Sequence, residues 1–326
     1  MTVDVAIVGC GVIGRKRAQA LAGRGRVVAV HDVDSARAGA LASELGTGTR
    51  VCADAKEAFE AASGGLAVVA TTHDSLVRNA VQALEAGCHV LVEKPGARSH
   101  GELAEVAKAA DNAARLARVG FNHRFHPAML RAHELLASGR FGPVAVIRAR
   151  YGHGGRLGYE REWRASRERS GGGELLDQGV HLLDLVRFFA GEPRLAYAVL
   201  PTLFWPMEVE DNAFLHLTLP ESGHAWLHAS WTEWKNLFSF EISCRTAKIE
   251  ITGLGGSYGP ERLTLYEMSP EMGPPTATTW EWPAGDHSWA AELDDVLAEL
   301  DGGPALGAKL EDALGTLALV EEAYAR

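Results

Sequence analysis

The sequence contains few cysteines and no excess of basic residues. Only four cysteines occur among 326 residues, and none of them has the Cys-x-x-Cys spacing of zinc or redox sites. This scarcity argues against a disulfide framework and is typical of a reducing compartment, so we expect buried, unreactive thiols and a cytoplasmic protein. Acidic residues outnumber basic ones, 42 to 32, which gives a formal net charge of −10 and argues against nucleic-acid binding.

Long apolar runs are also missing. No apolar segment reaches the roughly 20 residues that a helix needs to cross a bilayer, so we expect no membrane association. The chain begins almost at once with a short apolar strand, without the basic and long apolar regions of a signal peptide. No cluster of histidine, cysteine and acidic residues has metal-ligand spacing, and we therefore predict no metal site.

Short apolar strands alternate with helices in the first 121 residues. Strands are predicted at residues 3–8, 27–31, 66–71, 89–93 and 116–120, and helices at 15–22, 35–45, 74–86 and 102–114. This alternation predicts βαβ units and a parallel sheet. We therefore predict an α/β chain in which residues 1–121 form a doubly wound, dinucleotide-binding Rossmann domain.

Residues 122–326 are predicted to form a second, α+β domain. From residue 196 to 266, short strands joined by tight turns predict an open, mostly antiparallel sheet. Residues 152–173 show no clear periodicity, a helix is predicted at about 174–190, and the proline- and threonine-rich residues 269–282 are expected to form a loop. The strands at 213–219 and 225–232 carry apolar residues at both odd and even positions, so apolar side chains point to both faces of the sheet. This pattern predicts that both sheet faces are covered. Helices would cover one face and a second subunit the other, in a homodimer or homotetramer.

A Gly-x-Gly-x-x-Gly motif follows the first strand and opens a helix. Gly9 permits a tight turn, Gly11 lets a pyrophosphate approach the backbone, and Gly14 lets the helix pack closely on the strand. Val12 and Ile13 begin the helix whose N-terminus would bind the pyrophosphate. The alternative is an ordinary glycine-rich turn between a strand and a helix.

Asp32 ends the second strand, about 20 residues beyond the glycines, where a carboxylate can accept hydrogen bonds from the adenosine ribose. The 2′-phosphate of NADP would be repelled there, so we predict NAD as the cofactor, with NADP less favoured. In the alternative interpretation, Asp32 only begins a turn and nearby Arg37 binds a phosphate.

Three further motifs occur in a fixed order along the chain. They are Glu93-Lys94-Pro95, Gly-Phe-Asn-His-Arg-Phe at residues 120–125, and Gly-Gly-Gly-Glu-Leu-Leu-Asp-Gln-Gly-Val-His-Leu-Leu-Asp at residues 171–184. Together they resemble the Gfo/Idh/MocA oxidoreductases over nearly the whole chain. The resemblance implies a C-terminal open sheet with helices on one face and an oligomer contact on the other. It also implies that Thr71 and Glu93 lie near the cofactor, although Leu76 stands where similar proteins usually carry histidine.

The last motif resembles the active-site helix of that family. Oxidation of a secondary alcohol needs a base and a group that stabilises the developing oxyanion. His181 suits the base, Asp177 lies four residues earlier on the same helix face, and Lys94 suits the electrostatic role. From spacing alone, Asp177 and His181 could equally be a surface or capping pair. Asp184 is interpreted as structural, in contact with a backbone amide.

Residues 152–173 precede this helix and carry five arginines against three glutamates. Guanidinium groups suit a phosphate or carboxylate, and aromatic rings suit a sugar or base. We therefore expect an anionic substrate, such as a nucleotide sugar; in the alternative interpretation the arginines pair with glutamates of their own segment. The expected substrate contacts are Lys94, Asn122, Arg156, Tyr159, Arg161, Trp163, Arg164, Asp177 and His181.

The resulting hypothesis is an NAD-dependent oxidoreductase acting on a secondary hydroxyl, or the matching ketone, of a sugar, cyclitol or nucleotide-linked sugar. One alternative is a glycoside hydrolase that uses NAD in an internal redox cycle. The other is a non-catalytic regulator that senses dinucleotides, against which the joint presence of Lys94, Asp177 and His181 argues.

Overall fold

The computed structural model describes residues 2–46, 48–282 and 285–326, which form two compact units. One unit contains the chain up to Asn122 together with Trp289–Gly315, and the other contains His123–Ser288 with Thr316–Arg326. The division therefore differs from the predicted one in Trp289–Gly315, which belongs with the first unit. Long-range ion pairs hold this segment there, such as the 2.5 Å pair between Arg118 and Glu299.

The first unit is built from alternating strands and helices. Its elements are β1 (Val3–Val8), α1 (Val12–Ala20), β2 (Gly25–His31), α2 (Ser35–Leu45), β3 (Arg50–Val51), α3 (Ala55–Ala61), β4 (Leu66–Val69), α4 (His73–Glu85), β5 (His89–Glu93), α5 (His100–Ala113) and β6 (Ala117–Gly120). The six strands form a parallel sheet in the order β3-β2-β1-β4-β5-β6, which confirms the Rossmann prediction. The strand order reverses between β1 and β4, where dinucleotides bind in such sheets.

The second unit contains the longer strands. Its elements are α6 (Pro127–Ala137), β7 (Val144–Gly152), α7 (Arg167–Ser170), α8 (Val180–Ala190), β8 (Arg194–Val199), β9 (Asn212–Thr218), β10 (His224–Ser230), β11 (Leu237–Cys244), β12 (Ala247–Thr252), β13 (Glu261–Glu267) and β14 (Thr276–Trp282). The chain ends with α9 (Ser288–Leu300) and α10 (Leu310–Tyr324), of which the residues within Trp289–Gly315 belong to the first unit. Eight strands form one sheet in the order β14-β13-β12-β11-β7-β10-β9-β8. Strands β7 and β10 run parallel and the other neighbours run antiparallel, so the mostly antiparallel sheet is confirmed.

The prediction of a loop over residues 269–282 is wrong for its second half. Strand β14 pairs with β13 along its whole length, from Thr276 opposite Glu267 to Trp282 opposite Glu261. Threonine and tryptophan favour extended backbone, and the two prolines come just before the strand, where they interrupt no ladder. An edge strand exposed to solvent has no apolar alternation, which is why the segment is hard to predict.

Helices α6 and α8 pack on one face of this sheet. The opposite face, here called the open sheet face, carries exposed aromatic and histidine side chains of β9 and β10. Phe214 stacks on His228 and His216 stacks on Trp226, each with ring centroids 4.2 Å apart. Coverage of this face by a second subunit stays a prediction. None of the helices within the described ranges is long and apolar enough to cross a membrane.

Candidate active site

The glycine loop joins β1 to α1. A Cβ atom at Gly9 would lie 2.4 Å from the carbonyl oxygen of Ala70, and one at Gly14 would lie 1.9 Å from that of Gly9. Packing of the protein therefore requires both of these glycines. Gly11 is different, because a Cβ there would meet nothing within 4 Å. The bare backbone of Gly11 leaves open space at the N-terminus of α1, which fits a bound pyrophosphate.

Asp32 is tied to this loop. Its Oδ2 accepts a hydrogen bond from the Cys10 amide at 2.7 Å, and its Oδ1 accepts one from the Asp34 amide at 2.9 Å. Each oxygen keeps a further lone pair that can accept a ribose hydroxyl. Arg37, the alternative phosphate ligand, forms an ion pair with Asp34 at 3.2 Å. Burial, with the charge of Asp32, raises the pKa of Cys10 to about 12, so this thiol stays neutral and unreactive as expected.

Glu93, expected near the cofactor, forms a buried ion pair with Arg17 of α1, with Nε and Oε1 2.5 Å apart. Arg17 also contacts Glu292 of α9 at 2.5 Å. Burial alone would lower the pKa of Arg17, but Glu292 and Glu93 more than offset this and raise it. Gly120 leaves room for the guanidinium, since a Cβ there would lie 2.4 Å from Nη2. The network connects the helix after the glycine loop to the end of β5, where half-buried Lys94 follows.

Two further residues expected in the first unit lie at the ends of β4 and β6. Thr71 is half-buried two residues after β4, and Leu76 is fully buried in the apolar core of the unit. Asn122 is buried at the start of a short 3₁₀-helix, Asn122–Phe125.

Asp177 and His181 lie on one continuous helical segment of the second unit. The segment begins with a π-helical turn, Leu175–Gly179, and continues as α8. A Cβ at Gly179 would lie 3.0 Å from the side chain of Leu175 and 3.6 Å from Ala229 of β10, so close packing accounts for this glycine. Asp177 and His181 are both buried, only 6% and 3% exposed. A π-helical turn was not predicted, although such turns are frequent at functional sites.

The start of this segment is held by Glu210, which the sequence did not indicate. Its Oε1 accepts hydrogen bonds from the amides of Gly173 and Leu175, at 3.0 and 3.1 Å, and from the Tyr324 hydroxyl at 2.8 Å. Burial raises the pKa of Glu210, and these hydrogen bonds oppose the rise. Glu210 thereby fixes the position from which Asp177 projects.

His181 packs against aromatic rings. It stacks on His123, with ring centroids 3.7 Å apart and an interplanar angle of 25°, and Tyr151 contacts its edge at 6.1 Å. The motif at residues 120–125 therefore supplies a direct neighbour of His181, a role that the sequence did not indicate. Stacking of this kind fixes the plane of the imidazole and hence the direction of its two nitrogens.

Tyr151, which contacts His181, is hydrogen-bonded to a second tyrosine, Tyr258. Burial, together with its hydrogen-bonded neighbour Tyr258, raises the pKa of Tyr151 well above its usual value. Burial also raises the pKa of Tyr258 to about 12, with further contributions from Glu174 and Asp177. Both phenols stay protonated at neutral pH and can donate hydrogen bonds. Tyr151 ends β7 and Tyr258 lies between β12 and β13, so no local pattern brings them together.

Residues 152–173 contain three short helical turns, at Tyr159–Arg161, Trp163–Ala165 and Arg167–Ser170. Arg164 donates from Nε to Oδ2 of Asp177 at 3.0 Å and lies over the ring of Trp163. Arg156 forms an ion pair with Glu162 at 2.6 Å, and the side chain of Arg161 lies 3.9 Å from that of Glu160. These pairs match the alternative interpretation, in which the arginines pair with acids of their own segment.

Tyr159 does not offer an exposed face for stacking. It is buried in an aromatic cluster, with ring centroids 5.0 Å from Trp231 and 5.8 Å from Trp205. Asp184 forms a buried two-bond ion pair with Arg124, at 2.6 and 2.8 Å. The expected contact of Asp184 with a backbone amide stays a prediction. Residues 2–46, 48–282 and 285–326 contain no cluster of three or more metal-ligating side chains.

Two family models match this chain. The model described as "Oxidoreductase family, NAD-binding Rossmann fold" matches residues 3–121, and the "GFO/IDH/MocA C-terminal domain" matches residues 129–251. The chain belongs to the GFO/IDH/MocA oxidoreductase family. Its glycine loop and Asp32 are accordingly part of an NAD-binding Rossmann domain.

Curated relatives within the GFO/IDH/MocA family include inositol 2-dehydrogenase 2 of Saccharopolyspora erythraea, 32% identical over 59% of this chain and 55% of the relative. D-glucoside 3-dehydrogenase of Escherichia coli is 31% identical over 58% of this chain and 54% of the relative. The chain thus matches about half the length of these relatives. A solved levoglucosan dehydrogenase, in complex with NADH and levoglucosan, has the same fold, with a TM-score of 0.87 at 20% identity over 100% of this chain and 98% of that chain.

Proposed function

We propose that this protein is an NAD-dependent oxidoreductase that oxidises a secondary hydroxyl of a sugar or cyclitol, or reduces the matching ketone. The observation that carries the proposal is the presence of two buried side chains, Asp177 and His181, on one helical segment of a GFO/IDH/MocA chain. The names of its relatives, which include inositol and glucoside dehydrogenases, support this substrate class.

Bound NAD would supply the hydride acceptor, and Gly11, the N-terminus of α1 and Asp32 are the groups that would hold it. His181 takes the hydroxyl proton, because imidazole changes charge near neutral pH and stacking on His123 fixes its plane. Lys94 stabilises the negative charge that develops on the substrate oxygen.

Asp177 binds Arg164, and this contact holds the carboxylate in a fixed orientation. Its remaining lone pairs can accept a hydroxyl of the substrate next to the one that is oxidised. Asp177 is therefore assigned to substrate orientation.

The test is a turnover assay with NAD and a panel of myo-inositol, glucose, methyl glucosides, disaccharides and UDP-linked sugars. NADH formed in proportion to the oxidised substrate, for at least one compound, is the expected result. Release of free sugar from a glycoside without net NADH would instead identify a hydrolase with an internal redox cycle. Tight NAD binding with no turnover of any compound would point to a dinucleotide-sensing regulator.

The assembly and the compartment complete the proposal. A homodimer or homotetramer would bury the open sheet face, on which Phe214 and Trp226 are large, exposed rings. A cytoplasmic location agrees with the four cysteines, which are all free thiols. A nucleotide-linked substrate is kept as one arm of the panel, although Arg156 and Arg161 lie beside glutamates.

A further inference from the structure

An open surface cleft of about 670 Å³ lies in the second unit between residues 160–166 and residues 202–208. It is called here the side pocket. Its volume is in the range of small-molecule sites in proteins, and it is large enough for a sugar ring. Its polar lining includes Glu160, Arg161, Glu162 and Glu208, and its apolar lining includes Phe204 and Trp205.

The charges of the side pocket disfavour an anion. Three carboxylates and one guanidinium belong to the lining. Two of the carboxylates lie beside arginines, Glu162 at 2.6 Å from Arg156 and Glu160 at 3.9 Å from Arg161. Glu208 accepts the amide of Arg167 at 3.1 Å, a neutral partner that does not offset its charge. The field is therefore too weak to select a cation and has the wrong sign for a diphosphate. Paired carboxylates still accept hydrogen bonds from hydroxyl groups, which suits a neutral polyol.

The apolar part of the side pocket is an exposed aromatic surface. The ring of Phe204, 57% exposed, contacts Trp205 at 5.0 Å and Trp234 at 4.7 Å between centroids. Trp234 is exposed as well, so the two touching rings form a contiguous apolar patch, and such patches mark surfaces on which a ligand or partner packs. The C–H face of a pyranose ring is a suitable partner, because it is apolar while its edge carries hydroxyl groups.

The aromatic surface is held rigidly. The carboxylate of Asp211 accepts hydrogen bonds from the amides of Leu203, Phe204 and Trp205, at 2.7–2.9 Å. The indole of Trp205 donates to the carbonyl of Trp231 at 3.1 Å. A preformed surface loses little entropy when a ligand binds, which favours recognition of a weakly interacting sugar ring.

The side pocket lies close to the candidate catalytic carboxylate within the same unit. Glu162, in its lining, is 4.0 Å from Arg164, and Arg164 binds Asp177 at 3.0 Å. Two side chains therefore separate the pocket from Asp177. This chain of contacts connects the side pocket to the carboxylate that would orient the reacting sugar.

We propose that the side pocket binds a neutral sugar ring joined to the reacting one, so that the substrate is an uncharged glycoside rather than a nucleotide-linked sugar. This proposal rests on the proposed function. It assigns substrate specificity to Phe204 and to the carboxylates around it. The sequence analysis had assigned substrate specificity to the arginines of residues 152–173.

The experiment compares methyl glucosides with disaccharides of the same linkage, methyl β-glucoside with cellobiose and methyl α-glucoside with maltose, and includes UDP-glucose. For one linkage, we expect KM for the disaccharide to be at least tenfold below that for the methyl glycoside. Phe204→Ala and Phe204→Leu should both remove this difference, because leucine keeps an apolar group but lacks the flat ring. Leu157→Ala, at an exposed residue outside the lining, is the matched control and should preserve it.

Tryptophan fluorescence provides a second readout without turnover, since Trp234 lies against Phe204. Disaccharide binding that disappears in Phe204→Ala supports the side pocket even if no sugar is oxidised, in which case only the proposed function fails. Three results would overturn the side-pocket proposal while leaving the oxidoreductase proposal standing. They are equal KM values for the methyl glycoside and the disaccharide of each linkage, equal effects of Phe204→Ala on these two substrates, or a KM for UDP-glucose below all the others.

Discussion

Arg164 donates a hydrogen bond from Nε to Oδ2 of Asp177 across 3.0 Å, which joins residues 152–173 to the helical segment of the candidate active site. Burial alone would lower the pKa of Arg164, but Asp177 and its other neighbours raise it. The guanidinium thus stays charged beside the carboxylate. Two residues that the sequence assigned separately to the substrate are in fact each other's partners.

Replacement of Arg164 tests whether this pair positions Asp177. Arg164→Met should lower kcat/KM by about tenfold or more, since loss of one partner leaves the other charge buried without it. Arg164→Lys should retain part of the activity, because lysine keeps the positive charge but lacks the planar guanidinium group. The exposed Arg26→Met, which breaks an ion pair with Asp4, is the control, and equal kinetics of the Arg26→Met and Arg164→Met variants would show that the pair with Asp177 has no positioning role.

The two proposed catalytic groups should be needed for chemistry and not for cofactor binding. We expect His181→Ala and Lys94→Ala each to lower kcat by about 100-fold or more, the usual scale for a general base or an electrostatic group. NAD affinity, measured by fluorescence titration, should barely change. His133→Ala and Lys56→Ala are the controls. Near-normal turnover of His181→Ala at neutral pH would place the base elsewhere, with Lys94 the next candidate.

Cofactor choice should depend on the charge of Asp32. Wild-type protein is expected to bind NAD at least tenfold more tightly than NADP, about 1.4 kcal/mol. Asp32→Asn should narrow this ratio, because the amide oxygen can still accept from the Cys10 amide but no longer repels a 2′-phosphate. Asp34→Asn serves as the control. If wild-type protein binds both cofactors equally, Asp32 does not select between them.

Assembly should depend on the open sheet face. Sedimentation at micromolar concentration is expected to show a dimer or tetramer of the 34.9 kDa chain. Trp226→Glu should shift it towards the monomer, because it places a charge among the stacked rings of β9 and β10. Met272→Glu changes an exposed residue of the β13–β14 connection and should have no effect. A wild-type protein that sediments only as a monomer contradicts the prediction.

Stability should depend on the buried network around Arg17. Arg17→Met is expected to destabilise the fold by about 3–5 kcal/mol, because Glu93 and Glu292 would remain as buried carboxylates without their shared cation. Adding Glu93→Gln and Glu292→Gln should recover part of this loss. Arg24→Met, which breaks an exposed ion pair with Asp294, should cost no more than about 1 kcal/mol in chemical denaturation. Equal effects of the two arginine substitutions would refute the argument.

The sequence by itself determined the parts of the protein whose signals are local. Gly9, Gly11 and Gly14 lie within six consecutive residues. Because glycine has no side chain, Gly9 can form the tight turn, Gly11 leaves its backbone open and Gly14 allows close packing. Apolar runs of four to eight residues indicated the parallel strands, and the three motifs indicated the family. Asp177 and His181 could be assigned to one helical segment because they lie only four positions apart.

Tertiary structure alone decided which distant groups meet. Arg17 and Glu292 are 275 positions apart, and Tyr324 and Glu210 are 114 positions apart, so no periodic pattern could connect either pair. No periodic pattern could predict the pairing of β14 with β13 either. The partners of the arginines in residues 152–173, which include Asp177, were equally unpredictable. The composition shows only that such charged residues exist. A buried charge is stable only when it is paired, and the packing of distant elements decides which residue pairs with it.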